Sequence, residues 1–389
     1  MATTDGSFEF ATADRIVFGP GRAAGLPELV GELGTRALVC TGSRPDRHRA
    51  LLERLRLPTA THAITGEPTI EDVRATTELA RDHAADLIIG IGGGSVLDAG
   101  KAVAMLLGNG GEPEDYLEVV GRGRPITSPS VAYVAVPTTA GTGSEVTANA
   151  VLTSTDHAVK ASVRSRFMLP RLAVVDPMLT IDCPPAVTAS SGLDALTQCL
   201  EPFVSVQASP LTDALAREGL TRASTALRRA YADGSDVEAR TDMSICSLTG
   251  GMCLANAKLG VVHGFAAPLG GMTGAPHGAL CAALLPAAIE TNVRALRERQ
   301  PDGPGLAKYR VAARLLTGRL DAEIEDGIDW IRDTVQELGV PGLRALGLRP
   351  EDSDEAVEKA REASSTKGNP IPLTRDELRS ILEASMGRG

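Results

Sequence analysis

The sequence predicts an α/β domain with a parallel sheet, followed by an all-α domain. Three observations carry this expectation. Up to about residue 180, short apolar runs alternate with segments of helical spacing, the pattern of a parallel sheet covered by helices on both faces. After Cys183-Pro184-Pro185 the alternation stops, and long Ala/Leu/Arg-rich segments with Gly or Pro between them take over. The chain has 389 residues, too many for one ordinary core. The expected domains are 1–180 and 181–389.

The elements follow in order. FGPG at Phe18–Gly21 reads as a turn after a short strand. RALVCT (36–41) reads as a buried strand, followed by a helix near 51–55 and a second strand at 62–64. Thr69 caps a helix running to Ala84, with Glu71 and Asp72 in its first turn. DLIIG (86–90), Val131–Val136 and LAVVD (172–176) supply further strands. In the second half the spacing predicts helices over 190–204, 211–231, 237–257, 279–299, 306–316 and 322–338, and Thr374 caps a last one.

Composition excludes several classes. A net charge of -10 gives no basic footprint for nucleic acid, and 3% aromatics offer no stacking platform. No uninterrupted apolar run of membrane-spanning length stands out, and the N-terminus lacks a basic region followed by an apolar stretch. Six cysteines without a CxxC pair read as reduced, mostly buried thiols of a cytoplasmic protein.

Two loops carry the first chemistry. Gly92, Gly93, Gly94 and Ser95 lie between a strand and a helix. Glycines let backbone N–H groups approach a phosphate, and the helix N-terminus adds free donors and a favourable dipole. Asp98 and Lys101 lie on the helix so opened. Thr138, Thr139, Gly141, Thr142, Gly143, Ser144 and Glu145 form a second small, hydroxyl-rich loop after another strand. Two such loops at strand C-ends of one sheet mark a nucleotide crevice. The first half is therefore expected to be a Rossmann-like dinucleotide domain.

The second half carries a different set. Asp194 and Gln198 are four apart in a helical segment, so they share a face. His263 and His277 each stand beside a glycine, in a chain with six histidines. Taken singly, Asp194 reads as a solvated helix residue and His263 as a buried histidine bonded to a carbonyl. Taken together, a carboxylate and two imidazoles form a ligand set for a divalent transition metal.

IGGGSVLDAGK, PTTAGTGSEVT, LAVVDP, GLDALTQCLEPF, VVHGFAAPLGG and PHG occur in this order from FGPG to NPIPLT. In order and spacing they resemble the iron-containing (group III) alcohol dehydrogenases. The resemblance implies a nicotinamide cofactor across the first domain, a divalent metal (iron or zinc) in the second, and an active site in the cleft between them. It assigns the pyrophosphate to Gly93, Gly94 and Ser95, cofactor contacts to Thr138 and Thr139, and places Asn149 and Lys160 near the ribose and nicotinamide. Asp194, His263 and His277 match three family metal ligands, and the same three are the expected catalytic residues.

Two departures from the family pattern stand out. Gln198 occupies the place of the usual fourth ligand, a histidine, and an amide oxygen is a weaker donor than imidazole. Ala267 stands four after His263, where many members carry a proton-relaying histidine. The site is then three protein ligands plus a weak fourth, or it is empty.

The expected activity is reversible hydride transfer between a nicotinamide and an aldehyde or ketone, acting on a small molecule, in a homodimer. The alternatives are a metal-independent reductase of the maleylacetate reductase type on an anionic substrate, a lyase resembling dehydroquinate synthase, and a binding protein that has lost the chemistry. Lys258, Arg164 and Arg166 are candidates for favouring an anion. For the cofactor, Gly42 stands where the family commonly has an acidic residue on the ribose. Ser43 and Arg44 follow and suit a 2′-phosphate, which tilts the expectation to NADP over NAD, with Asp46 nearby as the counter-argument.

Overall fold

The computed structural model describes residues 7–157 and 159–387. The chain divides into two compact units, one made of Ala11–Thr139 and Gly143–Ile181, the other of Asp182–Gly389 with Ala140–Thr142 and the N-terminal residues.

The first unit is built on strands β1 (Ile16–Phe18), β2 (Ala37–Thr41), β3 (Thr59–Ala63), β4 (Leu87–Gly92), β5 (Ala132–Pro137) and β8 (Leu172–Val175). They form one all-parallel sheet in the order β1-β8-β5-β4-β2-β3. The apolar runs explain it. Leu38 and Cys40 on β2, Ile88 on β4, and Tyr133 and Ala135 on β5 enter the core on one face. Their chain neighbours Ala37, Val39, Leu87, Ile89, Val134 and Val136 enter the core on the other. A sheet buried on both faces needs such continuous runs, because successive side chains point to opposite sides.

Helices of ten residues or more are labelled here. Helix α1 (Ile70–Asp82) opens on a capping box in which the Thr69 and Asp72 side chains each accept from the other's backbone N–H. Helix α2 (Gly94–Asn109) follows β4 directly. The segment after GTGSEVT, to which the sequence pattern assigns no element, is a hairpin, β6 (Asn149–Ser154) antiparallel to β7 (Val159–Arg164). Its burial alternates, with Ala150, Leu152, Ala161 and Val163 joining the core beneath α1 and α2.

The second unit is helical throughout: α3 (Pro185–Val204), α4 (Pro210–Ala232), α5 (Val237–Ala257), α6 (Val261–Thr273), α7 (His277–Arg299), α8 (Pro304–Thr317), α9 (Ile324–Glu337), α10 (Ser353–Glu362) and α11 (Arg375–Ser385). Proline at the first helical position of α3, α4 and α8 costs no hydrogen bond, since that N–H has no partner in the helix anyway. Helix α6, which contains VVHGFAAPLGG, was not foreseen as a helix. Helix α7 is long and apolar enough to cross a membrane, but 78% of that window is buried inside the protein, as in a core helix.

Candidate functional site

The glycine loop and the hydroxyl loop stand side by side in the first unit. Gly92 pairs in register with Pro137, and Thr138 N–H donates to the Gly92 carbonyl at 2.9 Å. Gly42 follows directly on β2, the neighbour of β4 on its other side. So Gly42, Gly92–Ser95 and Thr138–Thr139 lie at the C-terminal ends of three adjacent strands, where open α/β sheets bind nucleotides. Gly93 is the extended N-cap of α2, and no side chain caps that helix. Its φ of -76° is open to any residue. Space, not conformation, is what its missing side chain supplies: a Cβ there would stand 3.3 Å from Thr139 Oγ1, in the mouth of the cradle.

Asp98 and Ser144 were expected to touch the cofactor. In the structure they bond to one another and to the loop. Ser144 Oγ donates to Asp98 Oδ1 at 2.5 Å, Val151 N–H donates to Oδ2, and Lys101 Nζ lies 3.2 Å from Oδ1. Lys101 is buried and also donates to the Ser144 carbonyl and Thr147 Oγ1. This network fixes the GTGSEV loop. Burial pushes the neighbouring Glu145 carboxyl up to about 7, against the pull of Lys101. Thr142 belongs to the helical unit. Asn149 and Lys160 are not brought together: Asn149 pairs with Arg164 at one end of the hairpin and Lys160 with Thr153 toward the other, about 13 Å along the strand. Lys160 is ion-paired to Glu67 at 3.3 Å.

The anion candidates have other partners. Arg164 pairs with Glu118 at 2.7 Å, and Arg166 lies over the Phe167 ring. Lys258 is exposed at the C-cap of α5, at a positive φ of 56° with an extended ψ of 159°.

The second unit brings the expected metal-ligand residues together. Asp194 is on α3, His263 in the first turn of α6 and His277 at the first position of α7. His263 Nε2 lies 3.3 Å from Asp194 Oδ1, and His277 Nε2 3.9 Å from the same oxygen. Cys281, one turn after His277, joins them with Sγ 3.8 Å from His263 Nε2 and 3.7 Å from His277 Nε2. One ligand atom from each of the four lies within 4.8 Å of every other. Ala267, one turn after His263, is exposed.

Sequence reasoning missed Cys281 and Glu201. Glu201 lies seven residues after Asp194 on α3, so two turns of helix place both carboxylates on one face. Its Oε2 is 2.7 Å from His263 Nδ1, and its Oε1 accepts the Val262 N–H at 2.7 Å. One buried carboxylate thus caps α6 and orients the imidazole. Asn369, from NPIPLT, accepts the Val261 N–H and exchanges hydrogen bonds with Asn292, which in turn donates to Tyr309. Gly260 lets both side chains in: a Cβ there would stand 2.7 Å from Glu201 Oε1 and 3.0 Å from Asn369 Oδ1. The signal was available in the spacing of Asp194, Gln198 and Glu201 and in the 277–281 interval.

The electrostatics favour a cation. Burial opposes charge on Asp194, yet the imidazole of His263 beside it, the charge of His277 and Gln198 hold its carboxyl below the usual range. Burial likewise opposes charge on His263, but Cys281, Asp194 and Glu201 together push its pKa well above the ordinary value. His277 is raised as well, by Cys281 and Asp194 against burial. The negative potential that draws protons here also favours a divalent metal. Two buried oxygens on the same helix face, Asp194 Oδ1 and Gln198 Oε1, have no hydrogen-bond partner. Buried polar atoms are rarely left so, and a bound cation satisfies the Asp194 carboxylate. The residues present fit a metal.

The family follows from comparison with known proteins. The model of the iron-containing alcohol dehydrogenases matches residues 13–177, and that of the family's C-terminal domain matches 188–386. This chain is an iron-containing alcohol dehydrogenase family member. Within the family, it is 35% identical over 348 residues to alcohol dehydrogenase 4 of Schizosaccharomyces pombe, covering 88% of this chain and 78% of that one. A crystal structure of 1,3-propanediol oxidoreductase superposes with a TM-score of 0.90 at 32% identity, over 97% of this chain and 100% of that one. Sulfoacetaldehyde reductase from Bifidobacterium kashiwanohense, solved in complex with NAD+, gives a TM-score of 0.85 at 28% identity, over 97% of this chain and 98% of that one.

Proposed function

We propose that the protein is a nicotinamide-dependent dehydrogenase that interconverts a small alcohol and its aldehyde or ketone. The observation that carries the reading is one chain holding both an uncapped glycine cradle at the strand C-ends of one unit and an Asp/His/His ligand set in the other. In this reading Gly93, Gly94 and Ser95 receive the cofactor pyrophosphate and Thr138 and Thr139 flank it. The nicotinamide supplies or accepts the hydride, and the chain orients it. Asp194, His263 and His277 hold the metal, which when bound polarises the substrate oxygen and lowers the pKa of the alcohol. Glu201 keeps the His263 proton on Nδ1, so Nε2 presents its lone pair.

For the cofactor we propose NADP over NAD. Ser43 and Arg44 are exposed just beyond β2, and Asp46, the carboxylate nearest in sequence, is ion-paired to Arg49. A charge-assisted bond from Arg44 to a 2′-phosphate is worth about 1.5–3 kcal/mol, roughly tenfold or more in preference. The experiment supplies a panel of short aldehydes, with NADPH and NADH in parallel and with added zinc or iron. Net consumption of reduced cofactor is expected, and it separates a dehydrogenase from a lyase that only borrows the nicotinamide. Silence across the panel sinks the activity, and a higher kcat/KM with NADH sinks the NADP preference alone.

A further inference from the structure

We infer that Cys281 is a metal ligand, so that this chain carries an Asp194–His263–His277–Cys281 centre of the zinc type. The inference rests on the reading that the helical unit holds a divalent metal. The fourth donor then comes from α7 and is a thiolate, not the Gln198 amide of α3.

The argument is geometric first. Zinc bonds imidazole nitrogen at about 2.0–2.1 Å, carboxylate oxygen at a similar length and thiolate sulfur at about 2.3 Å, in a tetrahedron. Tetrahedral angles with those lengths put nitrogen and sulfur about 3.5 Å apart, and nitrogen and oxygen about 3.3 Å apart. The two N···S separations here are 3.7 and 3.8 Å, and the two N···O separations are 3.3 and 3.9 Å. Three of these four separations match the edges of a zinc tetrahedron to within about 0.3 Å, the fourth is longer by about 0.6 Å, and the remaining pairs of ligand atoms lie within 4.8 Å. The rival description, a thiol sharing a weak S–H···N bond with the imidazoles, leaves Asp194 Oδ1 without a partner. A cation at the centre satisfies it.

Chemistry points the same way. Glu201 fixes the His263 proton on Nδ1. Nε2 is then the atom that faces Asp194 Oδ1 at 3.3 Å, and a cation between the two takes its lone pair and balances the carboxylate. Cys281 and Asp194 bring one negative charge each once the thiol has released its proton to solvent on metal binding, and a divalent ion balances both. Thiolate is a soft donor that selects zinc or cobalt over manganese or magnesium, whereas a neutral amide oxygen offers little to either. Among the described residues, the 277–281 interval puts the sulfur one helical turn below the ligand nitrogen.

The test uses cobalt as a probe of the full-length protein. Titration of the metal-stripped enzyme with cobalt(II) should give an intense tetrahedral visible spectrum and a near-ultraviolet thiolate-to-cobalt charge-transfer band. Cys281→Ser should still bind cobalt but lose the charge-transfer band, and its zinc affinity should fall roughly tenfold or more while manganese affinity changes far less. Cys183→Ser, which removes the one half-buried cysteine, controls for adventitious cobalt and should keep the band. Cobalt bound without a thiolate band in the parent, or a band that survives Cys281→Ser, overturns the inference while leaving the metal reading intact. No cobalt bound at all overturns both.

Discussion

Replacing Glu201 by glutamine tests how the site is held. In the parent, Oε1 accepts the Val262 N–H and Oε2 faces His263 Nδ1, both at 2.7 Å. The glutamine carbonyl can keep the bond that caps α6, so the helix stays in place. Its NH2 then confronts Nδ1, and a donor there requires the ring to accept. The imidazole proton moves to Nε2, the atom that faces Asp194 and the metal. Losing an outer partner of a ligating histidine typically costs about 10–100-fold in metal affinity, which is about 1.4–2.7 kcal/mol. Glu201→Ala should show the same loss plus about 1–3 kcal/mol of stability, since the Val262 N–H is left buried without a partner. Zinc affinity by chelator competition, read beside thermal melting of the metal-free protein, separates the two variants. A Glu201→Gln protein with zinc affinity within about twofold of the parent would refute the tautomer argument.

Three further outcomes follow from the geometry. Gly93→Ala keeps an ordinary backbone, so melting should hardly change, while the KM for the nicotinamide should rise roughly tenfold or more as the methyl fills the cradle beside Thr139; an unchanged KM argues against the pyrophosphate assignment. Gly278→Ala places a Cβ 2.4 Å from the Ser190 carbonyl, forcing α7 away from α3. It should cost about 1–3 kcal/mol of stability and weaken metal binding through the adjacent His277, and parent-like behaviour in both would show that the helices yield freely. The Glu145 carboxyl is raised from 4.5 to about 7 by burial, so between those values the folded state holds more protons than the unfolded one. Its contribution is neutral below about pH 4.5 and becomes a penalty of about 3 kcal/mol above pH 7, so stability falls as pH rises through that window. Glu145→Gln should melt higher than the parent at about pH 8, with most of that difference gone at about pH 4, and a pH-independent difference would reject the assignment.

Much of this protein was legible in the chain itself. Apolar runs such as Leu87–Ile91 must be buried on both faces, which points to a parallel sheet with helical cover, and a glycine run between strand and helix marks a close approach, to a ligand or to packing neighbours such as Val96. Asp194 and Gln198 share a helix, so their common face follows from periodicity alone. The β6–β7 hairpin was hidden because its strands follow a loop rich in Gly and Thr and bury only alternate residues. Helix α6 was hidden by its glycines and Pro268, which lower helix propensity but are accommodated by packing. What the sequence could not decide is which residues from separate helices converge. His263, His277, Glu201 and Cys281 come from three helices, and their meeting depends on close approaches at Gly260 and Gly278, where a Cβ would stand 2.7 Å from Glu201 Oε1 and 2.4 Å from the Ser190 carbonyl. Whether Asp98 reaches outward or ties down its own loop depends likewise on Ser144 and Val151, some fifty residues away in sequence and within hydrogen-bonding distance only after folding.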